Sequence, residues 1–177
     1  MTDPIQIVPY DPRWAIEFAR LRDHLLEAIG DLALAVEHVG STAVPGLPAK
    51  PILDIDVVLG SAEHVPEAIA RLAEIGYRHV GDLGIIGREA FDRATDTSAH
   101  HLYVVVQGSE PWRNHIQFRD YLREHPERAE GYAKLKRSLA HEFQNDREKY
   151  TNAKTKFVEE VLSNAHKRVK IQVDPRG

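Results

Sequence analysis

Residues 38–59 read HVGSTAVPGLPAKPILDIDVVL, and this stretch decides the fold. From Ile52 to Leu59 the residues Leu53, Ile55, Val57 and Leu59 share one face of an extended strand, while Asp54 and Asp56 share the other. Carboxylates at alternate strand positions stand roughly 6.6 Å apart along the backbone. Left alone they repel; together they can converge on one hard cation. The ordinary alternative is a solvated strand face that binds nothing. Upstream, the pair Gly40-Ser41 leaves an apolar strand expected from Leu34 to Val39. Pro45, Gly46, Pro48 and Pro51 then forbid a long helix and leave room for one short helical turn. Without the aspartates, Gly40-Ser41 would read as a plain turn.

Working outward, Asp11 and Pro12 form an N-cap and first-turn pair for a helix ending near Gly30. A second helix carries Val65, Ile69, Leu72 and Ile75 on one side and closes at Gly76. Tyr77 to Val80 and Ile85 to Phe91 read as strands, and His100 to Val106 as another, strongly β-prone one. From Pro111 to about Asn164 the pattern is helical, broken at His125-Pro126 and at Asn145-Asp146. Residues 167–177 read as a loose tail or a late strand. A sheet first and helices after predicts an α+β chain.

The pattern of an apolar run, Gly-Ser, a connection and Asp-x-Asp on a strand resembles the signature of the DNA polymerase β-like nucleotidyltransferase superfamily. The longer string, Val39 through Pro45 with Lys50-Pro51, is similar to the GrpB family, a bacterial branch usually assigned to that superfamily. The likeness covers nearly the whole chain. It implies a single domain over residues 1–177: a small mixed-sheet nucleotidyltransferase-like core to about residue 110, C-terminal helices over 111–165, and a tail over 166–177. It implies that Gly40 and Ser41 hold nucleotide phosphates while Asp54 and Asp56 ligate magnesium or manganese. The expected partner is a nucleoside triphosphate or another phosphorylated small molecule.

Two departures from the superfamily pattern matter. A proper helix usually follows the Gly-Ser turn, and a third acidic ligand usually sits on a neighbouring strand. The strand from His100 to Val106 has no carboxylate. Leu102, Val104 and Val106 mark its core face, which turns His101 and Tyr103 towards the aspartates. GrpB relatives tend to carry His-x-His here; this chain has His101-Leu102-Tyr103, so His101 alone matches and is the third catalytic candidate. A histidine can act as a base or bind a transition metal, whereas magnesium prefers oxygen. Glu37, Glu89 and Asp92 are the other sources of a third ligand.

Cationic candidates for phosphate are Lys50, held between prolines, Arg88 in the GrpB-like segment GREAF, and Lys136 and Lys154. Each of the last two stands four residues beyond a tyrosine, Tyr132 or Tyr150, at the border of its helix's apolar stripe. Such lysines more often reach out to solvent.

Composition sets the outer bounds. The 177 residues are 42% hydrophobic, enough for a real core. A formal charge of -4 gives no footprint for long nucleic acid, although basic residues gather at 134–137 and 166–170. Zero cysteines rules out disulfides and thiolate metal sites, and fits a cytoplasmic protein. Neither a signal sequence nor an apolar membrane span is apparent. Gly40 to Lys50 is no P-loop, because no Gly-Lys-Ser/Thr follows and Lys50 precedes proline. There is no Gly-x-Ser-x-Gly elbow and no His-Glu-x-x-His helix. Two functions follow as expectations. One is magnesium-dependent nucleotidyl transfer to an unknown acceptor. The other is a catalytically silent nucleotide- or coenzyme-binding module, linked to coenzyme A metabolism by the occurrence of GrpB-like domains fused to dephospho-coenzyme A kinase.

Overall fold

The aspartate strand is the second strand of the sheet, and its buried pattern shows why it nucleates the rest. The computed structural model describes residues 4–93 and 99–173, with side chains described through residue 167. Strand β1 (Ala33–Val39) leads through a single 3-10 turn at Ser41–Ala43 to β2 (Leu53–Leu59). In β2 every residue except Asp54 is buried. The sheet continues with β3 (Tyr77–Gly81), β4 (Arg88–Arg93) and β5 (His100–Val106), in the spatial order β1-β2-β5-β4-β3. β2 and β5 run parallel, and the other pairs are antiparallel.

One sheet face packs on α1 (Arg13–Ile29) and α2 (Val65–Glu74). Its core holds Leu21, Leu25, Ile29, Ile55, Val57, Leu59, Leu72, Leu102 and Val104, the residues expected from the alternation. The opposite face carries Asp54 and Asp56 and meets the C-terminal helices α3 (Glu110–Glu124), α4 (Pro126–Glu142), α5 (Arg147–Ala153) and α6 (Thr155–Val173). The proline-ruled loop joins this layer through Val44 and Leu47, which pack with Leu122, Tyr132, Ala133 and Val161. No helix among the described residues is long and apolar enough to cross a membrane.

Three expectations on local structure change. β4 begins at Arg88 and not at Ile85, because Leu83, Gly84 and Gly87 adopt positive φ and fold 83–87 into turns. Ile86 is consequently 88% exposed. The last helix extends to Val173, past the expected end near Asn164, so residues 167–173 are neither tail nor strand. Residues 174–177 lie outside the described residues. The N-cap position falls on Pro12, while the Asp11 carboxylate accepts the Arg13 backbone N–H at 2.9 Å.

Burial ranks the sites for substitution. Leu102→Ala, in the wall between the sheet and α1, is expected to cost about 2–5 kcal/mol in urea unfolding. Ile86→Ala should change stability by less than about 0.5 kcal/mol.

Candidate functional site

Gly40 ends β1 with φ 71 and ψ -169, a region that only glycine occupies readily. A Cβ built there would lie 2.3 Å from Asp54 Oδ2, so the turn backbone packs directly on the carboxylate. The turn is gripped from outside by α3. Arg119 Nη1 donates to the His38 carbonyl at 3.1 Å and to Glu37 Oε2 at 2.6 Å. Arg123 donates from Nε and Nη2 to the Ala43 carbonyl at 2.9 and 2.7 Å. Behind the turn, His38 stacks on Phe18 at 4.8 Å and lies 2.9 Å from the Thr42 hydroxyl. Burial, then Arg123 and Arg119, push its pKa down to about 4, so it stays neutral and structural at ordinary pH.

The strand register assembles the acidic pair. Asp54 pairs with Val39 on β1 and His101 on β5; Asp56 pairs with Glu37 and Tyr103. Asp56 is fully buried, with His115 Nδ1 at 2.8 Å from its Oδ2 and no partner for its Oδ1. Burial pulls the His115 pKa down, but the hydrogen bond and charge of Asp56, with Asp54 behind it, hold the ring above the ordinary value. Desolvation raises the pKa of half-buried Asp54; His101, His115 and Lys50 oppose this, and Asp56 reinforces it. An unpartnered buried carboxylate oxygen beside a carboxylate that resists ionisation is an arrangement in want of positive charge.

The fit to a divalent cation is partial. Among the described residues no third carboxylate or histidine completes a metal cluster. Glu37 is held by Arg119, Glu89 lies 2.6 Å from His79, and Asp92 accepts from Arg78 at 2.7 Å. Magnesium, however, is commonly held by one or two carboxylates and completed by substrate phosphates and water. Asp54 and Asp56 therefore fit a cation that arrives with a polyphosphate.

Facing Asp54 across a cleft of about 310 Å³ stand three lysines. Lys136 is buried, donates to the Pro48 carbonyl at 2.5 Å and lies 4.7 Å from the Tyr132 ring centre. Lys154 and Lys50 lie 4.2 and 5.6 Å from the Tyr150 ring centre. Desolvation first, then repulsion from neighbouring cations, lowers Lys136 to about 7. Desolvation followed by Lys50 lowers Lys154 to about 8, and desolvation lowers Lys50 as well. Three cations gathered against their own repulsion give this side of the cleft a strongly positive wall.

Of the nine residues expected at the site, Gly40, Ser41, Lys50, Asp54, His101, Lys136 and Lys154 line this one cleft. Asp56 lies beneath it. Arg88 is the exception. It is buried, its guanidinium carbon 4.5 Å from the Tyr103 ring centre, and it does not line the cleft. Sequence reasoning missed His115, whose partner lies 59 residues away. A signal was present: His115, Arg119 and Arg123 recur every four residues along α3, and all three turn towards β1, β2 and the Gly-Ser turn. Tyr132 and Tyr150 read as core, yet both line the cleft.

Comparison with known proteins adds the lineage. The sequence model of a family described as "GrpB protein" matches residues 4–164. The "Glutamate-rich protein GrpB" of Alkalihalophilus pseudofirmus is 38% identical over 162 residues, covering 89% of this chain and 93% of that protein. The chain spans about half of two longer relatives. It is 33% identical to the "UPF0157 protein YqkA" of Bacillus subtilis, covering 91% of this chain and 47% of that one. It is 26% identical to a "Dephospho-CoA kinase" of Mycolicibacterium paratuberculosis, covering 92% and 46% respectively. The crystal structure of a conserved GrpB protein from Enterococcus faecalis superposes with a TM-score of 0.83 at 32% identity, covering 93% of this chain and 99% of that one.

Two predictions follow from the geometry. Gly40→Ala should destabilise the fold by about 1–3 kcal/mol through backbone strain, read by thermal unfolding. Because the cleft lysines Lys136 and Lys154 shed their protons as pH rises through about 7 to 8, a bound polyanion must restore them. Calorimetry at about pH 8 should therefore show proton uptake when inorganic triphosphate binds, and affinity should fall from about pH 7 to about pH 9. Lys136→Met should abolish most of that uptake.

Proposed function

The chain belongs to the GrpB family, and from the site its fold builds we propose that it is a magnesium-dependent nucleotidyltransferase, moving a nucleotidyl group from a nucleoside triphosphate to a small acceptor. One observation carries this reading: a single cleft brings together the Gly-Ser turn, Asp54 packed against it and three lysines, with Asp56 two residues along the same strand face. Phosphoryl-type transfer asks a protein chiefly to position groups and neutralise charge, and these residues divide that work. The backbone of the turn and the Ser41 hydroxyl line the cleft where phosphate oxygens can approach, and the missing Gly40 side chain lets the turn sit directly against Asp54. Lys50, Lys136 and Lys154 neutralise the triphosphate. Asp54 and Asp56 would hold magnesium, which supplies charge neutralisation at the phosphates and activation of the attacking oxygen. His101, exposed at the rim and in register with Asp54, is placed to take the proton from an acceptor hydroxyl.

A second reading has its own support. Asp56 already engages His115, and no third carboxylate stands beside the pair among the described residues. On that reading the protein binds a nucleotide or coenzyme without turning it over. The likeness to a dephospho-CoA kinase supports the coenzyme version.

Incubation with each nucleoside triphosphate and magnesium, over a panel of hydroxyl and amine acceptors, separates the two. The transferase reading expects pyrophosphate release that falls by about a hundredfold or more in Asp54→Asn. Release that survives Asp54→Asn removes the assigned site. Tight binding without release selects the second reading.

A further inference from the structure

We propose that the cleft recognises its ligand through the triphosphate and not through the base, so that it takes all four nucleoside triphosphates and inorganic tripolyphosphate as a class. This narrows the nucleotide reading above and rests on it.

Space is the first argument. At about 310 Å³ the cleft stands at the lower end of small-molecule pockets, which run to about 1,000 Å³. It accommodates a phosphate chain; a whole nucleotide would extend beyond it. The polar chemistry inside belongs to phosphate: three ammonium groups, the Ser41 hydroxyl and the backbone of the Gly40 turn.

The aromatic rings make the second argument. Base recognition in a cleft commonly begins with a free ring face on which the base stacks. The lining tyrosines each carry other partners on their rings. Tyr132 stacks on Phe157 at 4.8 Å, meets Phe118 edge-on, and has Lys136 over it. Tyr150 faces both Lys154 and Lys50. Tyr103 faces the Arg88 guanidinium. An ammonium held over a ring by its quadrupole is also well placed to meet an anion, so the same contacts that deny stacking aim charge into the cleft. The exposed ring is His101, at the rim, and stacking there would satisfy every base about equally.

Hydrogen-bond readout is the third. Discrimination among bases needs paired donors and acceptors, typically side-chain amides or carboxylates. The described lining has no Asn or Gln, and its carboxylate, Asp54, lies against the Gly-Ser turn. The uncharged polar side chains besides the tyrosines are Ser41 and Thr151, single hydroxyls that offer no paired amide-like donor and acceptor.

Calorimetric titration of the full chain with ATP, GTP, CTP, UTP and tripolyphosphate, each with magnesium, tests this. The four nucleotide Kd values should agree within about threefold, and tripolyphosphate should bind within about tenfold of them. Lys154→Met should weaken all five by one common factor, about tenfold or more, while Lys134→Met, at an exposed lysine paired with Glu130, should change none. A preference of about thirtyfold for one nucleotide, or failure of tripolyphosphate to bind while nucleotides do, overturns base-blind recognition and leaves the nucleotide reading intact. If none of the five binds the folded protein, the nucleotide reading falls and this inference falls with it.

Discussion

Two carboxylates on one face of an interior strand are the constraint around which this protein is arranged. β2 is flanked by β1 and β5, so its register cannot drift: a slip of one residue would carry Asp54 and Asp56 into the apolar layer against α1 and α2. The charge of the pair must then be met on the other face. Asp56 takes His115 for one oxygen and leaves the second without a partner. Asp54 is left facing a cleft lined with lysines. The balance is incomplete on both sides, with carboxylates short of positive charge and lysines crowded by their own. A polyphosphate with a divalent cation would complete both at once.

Helix α3 ties this electrostatic arrangement to the backbone. His115, Arg119 and Arg123 form one row along it, reaching Asp56, then Glu37 with the His38 carbonyl, then the Ala43 carbonyl. The strained Gly40 turn is thus held at both flanks by the helix that also orients the buried aspartate. Strain at a φ/ψ open only to glycine persists where the surroundings over-determine it, and here two arginines and the Asp54 carboxylate do so. Rigidity at the Gly-Ser turn comes from these contacts; the lysine wall, carried on α4, the α5–α6 junction and the proline loop, is a separate layer.

Much of this was legible in the chain itself. The alternation of Leu53, Ile55, Val57 and Leu59 with the aspartates assigned the faces of β2, and the four-residue step from tyrosine to lysine put Lys136 and Lys154 at the border of an apolar stripe, where the structure sets them over the tyrosine rings. Local pattern reached its limit where partners are distant or where a turn competes. The Asp56–His115 and Arg119–Glu37 contacts join residues 59 and 82 positions apart; the four-residue step of His115, Arg119 and Arg123 marks a shared helix face but does not name the partners. Ile85 and Ile86 looked like strand residues because β propensity ignores the positive φ at Gly84 and Gly87 that turns them outward. Arg88 lies on the expected strand, but its guanidinium sits over the Tyr103 ring and does not line the cleft.

The central claim is that Asp54 and Asp56 share a cation with a triphosphate held by the lysines opposite. A crystal structure with manganese and a nonhydrolysable nucleoside triphosphate, using anomalous scattering to place the metal, tests it most directly. The account predicts one manganese peak bridging carboxylate oxygens of both aspartates and the phosphate chain, with the three ammonium groups turned onto phosphate oxygens. A triphosphate ordered elsewhere on the protein, or seated among the lysines with no metal at the aspartates, would contradict it.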